Sequence, residues 1–130
     1  MSANKNINTT ISRIPTNIET NFFQYWVEFL RPFNKLTDRE LGVLAELLKS
    51  RYELSKVITD EKVIDTVVLS MENRADVRKK LKLSSAHFNS IIKKLRDTKV
   101  IMNNRLNPKV IPRITADTKS FQFILYFDFK

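Results

Sequence analysis

The sequence predicts a mainly α-helical fold closed by a small C-terminal β-hairpin, and three observations carry that reading. Apolar residues recur at helical spacing in successive segments between Ile18 and Thr98. After Val100 the period changes: Asn103, Asn104, Asn107, Pro108 and Pro112 interrupt the helical pattern, and the run "SFQFILYFDF" then alternates. The chain has 130 residues, 42% of them hydrophobic and 28% charged, which suits one domain with a buried core. It also has a single glycine, so its turns must rely on Asn, Asp and Lys.

The elements follow in order. Residues 1–17 are rich in Asn, Thr and Ser without sustained periodicity and read as a flexible arm, leaving 18–130 as the single domain. Over 18–31, Phe22, Phe23, Trp26, Phe29 and Leu30 fall at helical spacing, and Pro32 is expected to end the segment. So aromatic a helix needs a cover, either the rest of the domain or a second copy of the chain. The helix predicted at 37–54 opens on a capping box, Thr37 with Glu40, and lines one face with Leu41, Leu44, Ala45, Leu48 and Tyr52. Val43 and Leu47 widen that face.

At 59–69 the β-branched residues of "VITDEKVIDTVVLSM" suit a strand, whereas Thr59 followed by Asp60 and Glu61 suits a helix start. The segment is read as a helix. Over 71–98 two helices joined by a tight turn are expected, the second running from Ser85 to Thr98 with Ser84 as its N-cap. The alternation of Phe121, Phe123, Leu125, Phe127 and Phe129 makes 100–129 a pair of strands, with Ala116 to Lys119 as their turn and Pro112 at an edge.

Charge is distributed unevenly along this plan. The net charge is +9, and Arg74 to Arg113 alone holds twelve basic side chains against two acids, a net +10. Glu19 to Glu72 holds seven bases against ten acids. A cation-rich half of this kind points to an anionic partner such as nucleic-acid phosphates. Lys5 and Arg13 in the arm would add to the same contacts. On the helix after Ser84, at 100° per residue, Phe88, Ile91, Ile92 and Leu95 form a narrow apolar stripe. The opposite side carries Ala86, Ser90, Lys93 and Asp97, flanked by Asn89 and Lys94. Small hydrogen-bonding groups sit toward its N-terminal half, where a helix in a major groove meets base edges, and lysines sit further along, where phosphates pass.

The stretch "DVRKKLKLSSAHFNSIIKKLRDTKVI" resembles the helix-turn-helix of winged-helix DNA-binding proteins of the small bacterial or phage regulator type. Val77, Leu81, Leu83, Ser84, Phe88, Ile91, Ile92, Leu95, Val100 and Ile101 occupy the positions of that pattern. The resemblance covers 74–101 closely and 74–129 loosely, and "LTDRELGVL" looks like the opening helix of many such regulators. It implies that the helix after Ser84 reads DNA and that the following hairpin is a wing. Carried over, Ser85, His87, Asn89, Ser90 and Lys93 would face bases. Arg78, Lys79, Lys82, Lys94, Arg105, Lys109 and Arg113 would contact phosphates. Two positions depart from the pattern: Arg78 stands where a small residue is usual, and Lys82 stands at the turn glycine, which requires a positive φ or a different turn.

The implied function is duplex DNA binding, sequence-specific or general, in transcriptional or replication regulation, with double-stranded DNA as the partner. The alternative is an interaction module of a virion or other assembly that docks on protein. A homodimer would use helix 18–31 or strand 121–129. Single-stranded nucleic acid is disfavoured because 74–113 contains only one aromatic residue, Phe88, and that lies on the buried stripe. Enzymatic function is not expected: the sequence has no Gly-rich phosphate loop and no Ser flanked by glycines. Neither a cofactor nor a metal is expected, since cysteine is absent and His87 is the sole histidine. With no apolar run long enough to span a bilayer and no secretory leader, the expected location is cytoplasmic, or host cytoplasm or virion for a phage product.

Overall fold

In the computed structural model, which describes residues 6–130, five helices precede one short hairpin. They are α1 (Phe22–Asn34), α2 (Asp38–Ser55), α3 (Glu61–Val68), α4 (Met71–Lys80) and α5 (Ser85–Asp97). Strands β1 (Ile101–Met102) and β2 (Arg105–Leu106) pair antiparallel, and a 3-10 turn at Pro108–Val110 follows. The mainly helical reading with a small C-terminal hairpin therefore holds. Among the described residues no helix is long and apolar enough to cross a membrane.

The polar residues at helix starts explain where the helices begin. Thr37 and Glu40 form the expected capping box, the Thr37 side chain accepting from Glu40 N–H and the Glu40 carboxylate from Thr37 N–H. Ser70 caps α4 through Asn73 N–H, and Ser84 caps α5 through His87 N–H. At α3 the cap is Asp60, which accepts from Lys62 N–H, so the helix begins two residues after the predicted start at 59.

Helix α2 is the centre of the packing. Val43, Leu44 and Leu47 are fully buried, with Leu41, Ala45, Leu48 and Tyr52 beside them, and α1, α3, α4 and α5 all contact this helix. The stripe Phe88, Ile91, Ile92 and Leu95 of α5 enters the same core, as do Ile64, Val68, Val77, Val100, Ile101 and Leu106. Helix α1 adds Phe22, Phe23, Trp26, Val27 and Leu30. The Trp26 indole N–H donates to the Val110 carbonyl at 2.7 Å, a buried bond across 84 residues of sequence. It joins α1 to the segment that follows the hairpin.

Two expectations about the ends of elements are corrected. Helix α1 does not stop at Pro32 but runs through it to Asn34. In the last turn the missing Pro N–H costs one helical bond only, and Lys35, at φ 53°, closes the helix by donating to the Arg31 carbonyl. Arg31 also ties this end to α2 by donating to Glu28, to Asp38 and to the Leu36 carbonyl. Its guanidinium holds the Glu28 carboxyl below the ordinary carboxylate range.

The second correction concerns the predicted strands over 100–129. The hairpin is confined to 101–106, and its turn is Asn103–Asn104, with φ of 55° and 61°, in place of Ala116 to Lys119. Thr115 to Thr118 does turn, yet no strand flanks it, and 121–129 joins no sheet. Alternation makes a strand only where a neighbouring backbone is available, and the two-residue strands of the hairpin offer almost no edge. Phe121 instead packs edge-on against Phe22 and Trp26, and Phe123 against Trp26. Residues 6–17 form neither helix nor strand and are exposed; the N-terminal part of the predicted arm, Lys5 included, lies outside the described residues.

Replacing Trp26 by Phe keeps an aromatic side chain at the position but removes the donor to Val110 and part of the ring surface packed on Phe121 and Phe123. Loss of the buried hydrogen bond, leaving the carbonyl unpaired, is expected to cost about 1–3 kcal/mol in urea-unfolding experiments, with the lost packing adding to it. An unchanged midpoint would show that this bond does not hold the C-terminal half to α1.

Candidate nucleic-acid interface

The surface to be considered is built by α4, the turn Leu81–Ser84, α5 and the hairpin. Its orientation follows from burial. Because Phe88, Ile91, Ile92 and Leu95 fill the core, the other side of α5 must face outward. Ser85, His87, Asn89, Ser90 and Lys93 are all exposed, so the five residues predicted to face bases share the outward surface of one helix. Ser90 lies at the centre of that surface together with Ala86 and Asp97, while His87 and Lys94 lie on one flank and Asn89 and Arg96 on the other. The first turn carries no lysine, arginine or acid, and the positive end of the helix dipole lies at this end.

Lys93 is only partly available to a ligand. Its ammonium lies 3.5 Å from the Asp97 carboxylate one turn on, an exposed pair on the outward face. A surface pair of this kind is weak and readily exchanged for another anion. Asp97 itself is an acid in the middle of the proposed contact surface, a feature the helical pattern placed there but whose consequence the resemblance left unaddressed.

Most of the other basic residues from α4 to Arg113 make no ion pair among the described residues. Lys79, Lys82, Lys94, Lys109, Arg105 and Arg113 are exposed, and none makes an ion pair among the described residues. Arg96 and Lys99, absent from the predicted set, have the same character. Their charge could have been counted in the sequence, but their outward direction follows only from the buried stripe. Lys80, by contrast, pairs with Glu46 at 2.9 Å and turns toward α2.

Arg78, expected at a phosphate, is engaged within the chain. It is half-buried, and its guanidinium donates to the Leu83 carbonyl at 3.1 Å, across the turn that leads into α5. The position that usually holds a small residue thus carries a long side chain that braces the turn.

That turn and the end of α5 share one construction. After α4, Leu83 N–H donates to the Arg78 carbonyl and Lys82 N–H to the Lys79 carbonyl, with Lys82 at φ 56°. After α5, Val100 N–H donates to the Leu95 carbonyl and Lys99 N–H to the Arg96 carbonyl, with Lys99 at φ 63°. Both are helix terminations that favour glycine at the left-handed position, and in both that position is lysine. Of the two alternatives left open for Lys82, a positive φ or a different turn, the positive φ is the one adopted. A left-handed non-glycine residue costs roughly 1–2 kcal/mol. An ammonium at a helix C-terminus offsets part of this through the dipole.

The hairpin continues directly from Lys99. Ile101 and Leu106 point into the core, and Met102, Asn103, Asn104 and Arg105 project from it. Asn107 fixes its base, donating from its side chain to the Lys99 carbonyl and from its backbone to the Val100 carbonyl. Among the described residues no group of three or more His, Asp or Glu side chains could hold a metal ion. No family model, no curated protein and no solved structure matches the chain.

Two substitutions separate bracing from strain in the turn. Arg78→Met should lower stability by about 1–2 kcal/mol, through loss of a charge-assisted hydrogen bond. Lys82→Gly should raise it by about 0.5–1 kcal/mol, the relief of left-handed strain exceeding the entropy lost by glycine. Chemical-denaturation midpoints check both, and a destabilised Lys82→Gly protein would contradict the strain argument.

Proposed function

We propose that this protein binds duplex DNA as a winged helix-turn-helix, with α5 entering the major groove and the hairpin acting as a wing. The observation that carries the proposal is the set of unpaired, outward-facing cations on α4, α5 and the hairpin, arranged around a polar α5 surface. A surface built for solubility alone needs mixed charges; this one places most of its cations on the flanks and, beside the Lys93–Asp97 pair, hydrogen-bonding groups where base edges would lie.

Roles can be assigned on that reading. Ser85, His87, Asn89 and Ser90 meet base edges or the sugars beside them, and Lys93 joins them after exchanging Asp97 for DNA. Lys79, Lys82, Lys94, Arg96, Lys99, Arg105, Lys109 and Arg113 meet phosphates. Lysine at two left-handed positions supports the assignment, because glycine would relieve strain there but carries no charge. Regulation of transcription or replication is the role such binding would serve.

The test is a duplex-binding assay titrated with salt. Affinity should fall linearly on a log-log scale, with a slope of about −0.9 per phosphate neutralised. Lys82→Gly and Lys94→Ala should each weaken all duplexes alike and flatten the slope by about one contact. Asn89→Ala and Ser90→Ala should instead change the ranking among duplex sequences, by about 1–3 kcal/mol at preferred sites. Absence of binding at low salt would refute the proposal.

A further inference from the structure

The segment from Lys119 to Lys130 lies outside the proposed DNA-binding surface and carries a dense run of apolar side chains. Its backbone makes no backbone–backbone hydrogen bond among the described residues. Phe121 touches Phe22 and Trp26, and Phe123 touches Trp26, so the segment advances along α1 in the direction of Phe29 and Phe33. Beyond Phe123 its contacts thin out. Tyr126, Phe127 and Phe129 are 70%, 75% and 94% exposed, and Phe29 and Phe33 on α1 are also exposed. A backbone without hydrogen bonds among the described residues, flanked by large apolar side chains, offers a strand edge without a neighbour.

We infer that the neighbour is a second copy of this chain, its 121–129 segment paired antiparallel with the first across a twofold axis. Three features favour self-pairing. Antiparallel partners set opposite residues on the same face, so turning the segment about Leu125 brings Phe127 opposite Phe123 and Phe129 opposite Phe121. The odd-numbered residues of both strands then form one apolar face toward the two α1 helices. In the same register Asp128 falls opposite Gln122 and Lys130 opposite Ser120, so no like charges meet.

Size and charge agree with this occupant. At about 200 Å² for each large side chain, scaled by exposure, Phe123, Leu125, Phe127 and Phe129 with Phe29 and Phe33 offer on the order of 700 Å² per chain. That is close to the ~800 Å² per partner of a standard interface. The segment holds one acid and one base beyond Phe121, so it has no net charge with which to select an acidic or a basic partner. An isologous contact also closes on itself, which limits assembly to two chains.

The inference is independent of DNA binding and is tested without nucleic acid. Sedimentation equilibrium of the full chain at tens of micromolar should give twice the 15.3 kDa of one chain. Phe127→Asp combined with Phe129→Asp should give the monomer mass with unchanged helical circular dichroism, because both side chains lie outside the monomer core. Leu125→Pro, which removes a backbone donor at the centre of the pairing, should also give the monomer mass. A monomeric wild-type protein, a species heavier than two chains, or a dimer that survives both variants would overturn the inference.

Discussion

Helix α2 is the constraint on which the rest of the structure depends. Its sides bury Val43, Leu44 and Leu47 completely, and each of the other four helices is placed by contact with it. A helix apolar over so much of its surface has no stable state except inside a shell of other elements. The shell then has little freedom. Once Phe88, Ile91, Ile92 and Leu95 join α2 and the hairpin residues in the core, the outward surface of α5 follows by geometry. The proposed contact with DNA thus rests on burial that involves none of the residues that would touch DNA.

Scarcity of glycine shapes the same surface. With Gly42 as the single glycine, the left-handed positions after α1, α4 and α5 are all lysine, and those of the hairpin turn are both asparagine. Asparagine tolerates this conformation better than most residues, whereas lysine does not. Strain at Lys82 and Lys99 is held by paired backbone hydrogen bonds across each helix end and by the packing of the following Leu83 and Val100. The molecule accepts that cost at the two joints that flank α5, where a cation is most useful on the DNA-binding reading.

Legibility in the sequence differed by the kind of signal. The capping box at Thr37, the cap at Ser84 and the stripe of α5 are local patterns, and they hold in the structure. For Lys82 the resemblance left a positive φ and a different turn both open, and the structure has the positive φ. Signals that need a distant partner were misleading or silent. Alternation over 121–129 suggested a strand but carried no information about a neighbour, and none pairs with it among the described residues. Neither the bond from Trp26 to Val110 nor the brace from Arg78 to Leu83 leaves a trace in composition or period. Of the proposed site, the exposed positions of α5 were legible from the wheel; the engagement of Lys93 with Asp97 and of Lys80 with Glu46 followed only from three-dimensional placement.

The most direct test of the central claim is amide chemical-shift mapping of the full chain as a duplex is added at low salt. If the polar side of α5 and the hairpin form the contact, perturbations should concentrate on Ser85 to Asp97 and Lys99 to Arg105. Residues of α1 and the segment 121–129 should be unaffected. Shifts centred on α1 or 121–129, or none at any duplex concentration, would contradict the account.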